Sequence, residues 1–366
     1  MCEGGKISEG QAVFLIAGTI LPTSVMFLPA LIYKEAAQDS WISVVLLTVY
    51  GLAAGALIAG LGRRFPDMTV VQYGEVLAGR FGGKILGLLY ALFFFYINTY
   101  IIREFGELFV TMFMPETPLV VFVASVVLAS GYGVSCGLEV LARVGEAVMP
   151  VILFLLLLLA ALIYPEVCWE NFLPVLEKGI IPVLKGAFCP AAIWFAETVI
   201  MVMLIPYLNE PGRAQKAIFK GVVITGFFQL LIVAVATAVL GSRTARLQFP
   251  TLSLASQVSI AGLIERVEPF IMLIWVFGAF IKVGIFYYCG VLAVAQCLHL
   301  ENYRVLVVPA GLVLTAVPML AWGNVGELIR QICRVVLPVA VIFEVALPLL
   351  LFLADSLRRP GEGGAR

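Results

Sequence analysis

Hydrophobic residues along this chain fall into ten blocks, each long enough to cross a bilayer and separated from the next by a shorter polar stretch. A crossing helix needs about 20 apolar residues. The blocks are 11–33, 41–62, 85–110, 117–135, 147–164, 187–207, 218–241, 266–298, 304–322 and 332–354. The eighth is too long for one straight crossing, so it is predicted to tilt or to project beyond the bilayer. Two connectors carry apolar residues at helical spacing and read as amphipathic surface helices: Val70 to Phe81, with Val70, Tyr73, Leu77 and Phe81 on one face, and Leu138 to Ala147. Longer polar connectors lie at 165–186 and 242–265.

Two of the blocks end alike. Val25-Met26-Phe27-Leu28-Pro29-Ala30-Leu31 and Val202-Met203-Leu204-Ile205-Pro206-Tyr207-Leu208 both read V-M-x-x-P-x-L, at an offset of 206 − 29 = 177 residues in a chain of 366. Upstream of each ending lies a stretch that interrupts a helix: Gly18-Thr19-Ile20-Leu21-Pro22-Thr23 in the first, and Pro190 followed by Phe195-Ala196-Glu197-Thr198 in the second. Paired interruptions in corresponding helices of two halves are the sequence signature of a mid-membrane transporter-type site. The chain therefore divides into a first five-helix repeat (1–164), an outer connecting loop (165–186), a second five-helix repeat (187–355) and a short disordered tail (356–366). The fold class expected is all-α integral membrane, with helices 1 and 6 broken.

Composition agrees with the pattern. The chain is 62% hydrophobic and 13% charged, against about 45–50% and about 25% in soluble domains. Its net charge is zero, which argues against nucleic acid as a partner. The seven cysteines show no metal-ligand spacing and read as small buried hydrophobes. A lone His299 leaves neither a histidine metal site nor a Ser/His/Asp set, and no phosphate-binding GxxxxGK[ST] loop is present. No cofactor is expected, and no enzymatic machinery can be assembled. The first eleven residues lack the basic and cleavage regions of a signal peptide. With the N-terminus inside, thirteen basic residues fall in inner segments and seven in outer ones. That bias predicts that both termini are cytoplasmic and that the span count is even.

Charges inside membrane helices are costly, about 2.5–3.5 kcal/mol each at the bilayer centre, and usually face the bundle. In span three, Tyr96, Tyr100, Arg103 and Glu107 recur at spacings of four, three and four, which places them on one helix face. They read either as the wall of a polar cavity or as an interfacial anchor. Glu104 adds a further charge to that span. Glu197 sits in the second interruption, where a carboxylate can accept a ligand ammonium or a proton, or bond backbone donors freed by the break. Lys282 lies mid-span with no acid within a turn. It reads as a cation held against carbonyls of the first interrupted helix in place of a coupling ion, or as the partner of Glu344 or Glu197. Interrupted helices expose N–H groups at one end and carbonyls at the other, which suits a zwitterionic amino acid. The candidate substrate-binding set is Gly18, Thr19, Pro22, Thr23, Tyr96, Tyr100, Phe195, Ala196, Glu197 and Thr198. The candidate ion or coupling set is Lys282, Glu344, Arg103 and Glu107.

Several segments, in order along nearly the whole chain, resemble the B subunit of spore germinant receptors, the spore germination branch of the amino acid–polyamine–organocation transporter superfamily. They are Ile7-Ser8-Glu9-Gly10-Gln11, Gln38-Asp39-Ser40-Trp41-Ile42-Ser43, Gly62-Arg63-Arg64-Phe65-Pro66, Leu173-Pro174-Val175-Leu176-Glu177-Lys178-Gly179-Ile180 and Pro206-Tyr207-Leu208. The resemblance implies a LeuT-like fold of five plus five inverted repeats. It implies a subunit that senses a small nutrient, often an amino acid, together with a membrane A subunit and a lipoprotein C subunit in the spore inner membrane. One departure stands out. The family's first break is often glycine-rich, whereas only Gly18 remains here, and bulky neighbours narrow access to the backbone. Two other readings share the architecture: a proton-coupled amino acid or polyamine carrier, and a structural subunit whose site is degenerate.

Overall fold

A computed structural model describes residues 4–260, 264–265, 267–323 and 325–358 of the chain. It is helical nearly throughout. In chain order the helices are α1 (Glu9–Ala36), α2 (Ser40–Arg64), α3 (Val70–Leu108), α4 (Leu119–Cys136), α5 (Leu138–Leu162), α6 (Ile180–Pro190), α7 (Met201–Leu204), α8 (Ala214–Leu240), α9 (Pro250–Gln257), α10 (Glu268–Cys297), α11 (Val307–Ala321), α12 (Val325–Gln331), α13 (Leu337–Ala340) and α14 (Leu347–Arg358). A two-residue antiparallel pair, β1 (Ser259–Ile260) with β2 (Ile264–Glu265), lies before α10.

Among the described residues, nine helical stretches are long and apolar enough to cross a membrane. The first, Glu9–Arg64, is 56 residues long and contains both α1 and α2. At 1.5 Å per residue it would reach about 84 Å if straight, far beyond a hydrocarbon core of about 30 Å. It folds back instead. Ile7, just before α1, bridges Leu208, and Gly62, near the end of α2, sits against Ile205. The start of α1 and the end of α2 therefore lie at one end of the bundle. Arg64 at that end pairs with Asp355 of α14 at 2.9 Å. Both ends of the described chain thus meet on one face.

Helices from the two halves of the chain pack in pairs: α1 on α6, α2 on α8, α3 on α10 and α4 on α11. Small residues permit the closest approaches: a Cβ on Gly55 of α2 would collide with Ile218 of α8, and one on Gly278 of α10 with Pro22 of α1.

The sixth span is interrupted as expected. α6 ends at Pro190, Ala191–Phe195 form a π turn, Ala196 sits at φ −92°, ψ 0°, and Glu197–Ile200 form a 3-10 turn before α7. The first span differs from expectation. α1 is one continuous α-helix through Gly18-Thr19-Ile20-Leu21-Pro22-Thr23. Every residue from Leu15 to Ala30 is buried, so unwinding would strand backbone groups among apolar side chains. Here the interruption is confined to the hydrogen-bond ladder. Pro22 and Pro29 bring no N–H to the carbonyls of Gly18 and Val25, and the Thr251 hydroxyl donates to Val25 O at 2.5 Å.

Other expectations are corrected at the edges. Val70 to Ala78 is a helical segment of its own, set off by Gly79 at φ 75°, but Phe81 lies past that kink and is exposed. Leu138 to Ala147 is the first part of α5, continuous with its span, because Leu138, Leu141, Ala142 and Gly145 bury one face against the bundle. α6 begins at Ile180, inside the stretch read as outer loop. Residues 356–358 belong to α14, where Arg358 donates to Val76 O; the rest of the expected tail, 359–366, lies outside the described residues. Cys289 and Cys297 are buried, whereas Cys136 and Cys168 are exposed and Cys189 is disulfide-bonded. Cys2 lies outside the described residues.

Candidate functional site

Three spans meet where the sixth is interrupted. Lys282 of α10 points its ammonium at Glu197, with Nζ 2.7 Å from Oε1 and 2.9 Å from Oε2. The same Nζ donates to the Thr23 hydroxyl of α1 at 2.7 Å. The indole N–H of Trp194, in the π turn, donates to that hydroxyl at 3.1 Å. Lys282 is 1% exposed and Glu197 2%. The pair is therefore closed off from solvent, where its Coulomb attraction is strongest and the loss of either partner is least tolerated.

Local backbone chemistry places these groups. Pro190 ends the regular α6 ladder, and the π turn bonds Ala196 N to Ala191 O at 3.2 Å. The change of helix type at Ala196 carries Trp194 and Glu197 to the α1 and α10 side. Gly278 supplies the close contact with Pro22 that brings α10 onto α1. Thr23 and Lys282 then face each other across that contact.

The other expected residues divide into three groups. Thr19, Phe195, Ala196 and Thr198 are buried beside the pair, but their polar atoms bond locally: Thr19 donates to Leu15 O at 2.6 Å, and Thr198 to Ala196 O at 3.5 Å. Gly18 and Pro22 serve the packing of α1. A Cβ on Gly18 would lie 2.9 Å from Ile281 Cγ2 and 3.3 Å from Met149 Sδ. The stripe on α3 forms a second constellation. Arg103 donates from Nε to Glu107 Oε1 at 2.7 Å and from Nη1 to Pro318 O of α11 at 2.8 Å. Tyr100 donates to Gln331 Oε1 at 3.2 Å and meets Trp322 edge-on at 4.4 Å, with Tyr96 packed on its other side at 5.5 Å. All four stripe residues share a face, as their spacing predicted, and their bonds run to α11 and α12 rather than to Lys282. Glu344 is not the partner of Lys282. It lies 1% exposed in a π turn, Val341–Ala346, that packs on Glu197–Ile200.

Four residues near the pair were missing from the expected set. Trp194 directly precedes the aligned segment and escaped because its partner, Thr23, is 171 positions away. Ser24 accepts from Gln229 of α8. Asn98 of α3 donates to Val283 O at 3.1 Å. An amide inside a membrane helix is itself a signal, since it needs an interhelical partner. Glu104 of α3 is buried within electrostatic reach of both Lys282 and Glu197.

One end of the bundle holds a cavity of about 540 Å³ lined by Lys6, Asp67, Glu75, Tyr207, Gln296 and His299, among others. Backbone bonds close the span ends beside it: Ile7 N to Tyr207 O and Asn209 N to Ile7 O, each 2.8 Å. Lys6 Nζ adds a bond to Pro206 O at 2.8 Å.

A family model described as spore germination protein matches residues 6–322. Spore germination protein KB of Bacillus subtilis is 30% identical over 360 residues, covering 96% of this chain and 95% of that protein. Spore germination protein YndE of the same organism is 28% identical over 364 residues, covering 98% of each. Spore germination protein XB of Bacillus anthracis is 22% identical over 277 residues, covering 75% of this chain and 76% of that one. Among solved structures, MhsT in complex with L-phenylalanine superposes with a TM-score of 0.63 at 13% identity, covering 94% of both chains. A Na+-coupled sialic acid symporter superposes at 0.69 and 13% identity, covering 96% of this chain and 79% of that one. At such identity these two establish the fold: LeuT-like and multi-pass.

Proposed function

The chain belongs to the spore germination protein family, and from that membership we propose that it is the nutrient-sensing membrane subunit of a spore germinant receptor. The observation that carries this reading is the enclosed Lys282–Glu197 pair with Thr23 and Trp194, set at the interruption of the sixth span. A zwitterionic amino acid complements both members. Its ammonium matches the Glu197 carboxylate, and its carboxylate matches the Lys282 ammonium. Such a ligand opens the pair without leaving either charge unmatched, which keeps the desolvation cost low. Opening the pair loosens the three-way junction of α1, α10 and the sixth span, and that movement is the signal passed on. Family and fold are those of permease-like membrane proteins, with no catalysis implied.

On this reading the partners are the receptor's A and C subunits, and the setting is the spore inner membrane. The excess of basic residues in inner segments supports cytoplasmic termini. The four packed span pairs support a division into two five-helix repeats, the second opening with α6 at Ile180. The test is the germination response of spores carrying Glu197→Ala at normal membrane levels. Loss of the response to every nutrient that this receptor normally detects is expected. An unchanged dose–response would overturn the assignment and leave a structural subunit.

A second reading, a proton-coupled amino acid or polyamine carrier, is favoured by the same buried acid–base pair on a fold shared with a symporter. Reconstituting the chain alone and following labelled amino acid under a proton gradient separates the two. The receptor reading expects uptake no greater than in empty vesicles.

A further inference from the structure

We propose that Glu344 is a proton-binding site: its carboxyl carries an exchangeable proton beside the Glu197–Lys282 pair. This goes beyond the ligand-binding reading and does not depend on it.

The first argument is the balance of buried charge. Among the described residues the buried basic side chains are Arg103 and Lys282. Arg103 is committed to Glu107 and Pro318 O. Lys282 is committed to both oxygens of Glu197 and to Thr23. Neither is left for Glu344, nor for Glu104, which is also buried. The Glu344 carboxyl is 1% exposed, and its Oε2 is enclosed with no hydrogen-bond partner. An isolated ionised carboxylate in such surroundings costs on the order of tens of kcal/mol, and a group so placed takes up a proton instead. A proton is also the one cation that needs no cavity of its own.

The second argument is the surroundings. Tyr90 of α3 reaches the same turn, but its hydroxyl donates to Phe343 O at 3.0 Å, so it is not the missing donor. Among the described residues, Tyr50 of α2, Glu197 and Lys282 are the other titratable groups that face Glu344. Tyr50 and Val341 line a mostly apolar cavity of about 240 Å³ between α2, α6 and α13, with Val341 one turn before Glu344. The π geometry of Val341–Ala346 is of a kind that recurs at functional sites. When the proton leaves, a second carboxylate charge comes within reach of Lys282. Proton occupancy and the state of the Glu197–Lys282 pair therefore bias each other, reciprocally.

Infrared spectroscopy of the full chain in lipid nanodiscs reads the carboxyl directly and needs no ligand, so its outcome is independent of the nutrient reading. Wild type at neutral pH is expected to show a protonated-carboxyl C=O stretch. That band should shift on transfer to D2O and lose a component in Glu344→Gln that remains in Glu104→Gln. If Glu344→Gln does not insert, Glu344→Met provides the same neutral comparison. A band of unchanged intensity in the Glu344 variant overturns the proposal. So does its loss in Glu104→Gln alone, or a band that does not respond to D2O.

Discussion

Lys282 shows how little a membrane-buried charge can be read without its partner. Its three contacts come from residues 85 and 259 positions away. Removing one member of such a pair strands the other, at a cost of about 3–5 kcal/mol. Lys282→Ala is therefore expected to lower the melting temperature strongly in detergent and to abolish the germination response. Removing both charges is a different experiment. Lys282→Met combined with Glu197→Leu fills the volume with apolar atoms and is expected to recover most of the stability, to within about 1 kcal/mol of wild type. The response should stay absent. A double variant as unstable as Lys282→Ala would show that packing, not charge, sets the cost. Thr23 tests the same junction more gently. Thr23→Val removes an acceptor shared by Lys282 and Trp194, and melting should report about 1–3 kcal/mol of destabilisation.

At the scale of the helix, prolines and glycines decide how the spans meet. Pro29 leaves the Val25 carbonyl without its intrahelical donor, and Thr251 supplies one from the α9 segment. Thr251→Val should cost about 1–3 kcal/mol in the wild-type background. In a Pro29→Ala background the helix regains its own N–H, and the same substitution should cost markedly less. Equal costs in the two backgrounds, measured by thermal unfolding, would sink this coupling. Gly278 is the contact point for Pro22, so Gly278→Ala should push α10 from α1 and destabilise by about 1–3 kcal/mol. The paired V-M-x-x-P-x-L endings close spans one and six, yet the two interruptions differ in kind. Pro22 and Pro29 leave a continuous helix because every face of α1 is covered. Pro190 lies where α6 gives way to the π turn, and the shift to 3-10 geometry at Ala196 follows, with Trp194 and Glu197 turned inward.

At the scale of the molecule, the bundle is tied at the end where the described termini meet. Ile7 bridges Leu208, Glu9 pairs with Lys220 at 2.7 Å, and Arg64 pairs with Asp355. A carrier must part these ends during each cycle, whereas a receptor that passes on a local movement need not. Cysteines introduced at Ile7 and Leu208 and oxidised to a cross-link are expected to leave the nutrient response largely intact. A response lost on oxidation and restored by reduction would instead favour the alternating-access reading.

Much of this was legible in the chain itself. Block length and apolarity determined that it spans a membrane many times, because no other environment accommodates ten such runs. The 177-residue offset pointed to spans one and six as the two interrupted helices, and side-chain spacing determined that Tyr96, Tyr100, Arg103 and Glu107 share a face. These are local properties, set by rise, pitch and transfer free energy. What only the tertiary structure decided were the choices between partners: Lys282 with Glu197 and not Glu344, Thr23 as the shared acceptor, Arg103 turned to Pro318, and α1 kept continuous. Each depends on which helices cross at which residues. That is fixed by close contacts such as Gly278 on Pro22, formed between positions far apart in sequence, and no periodicity along a single helix encodes it.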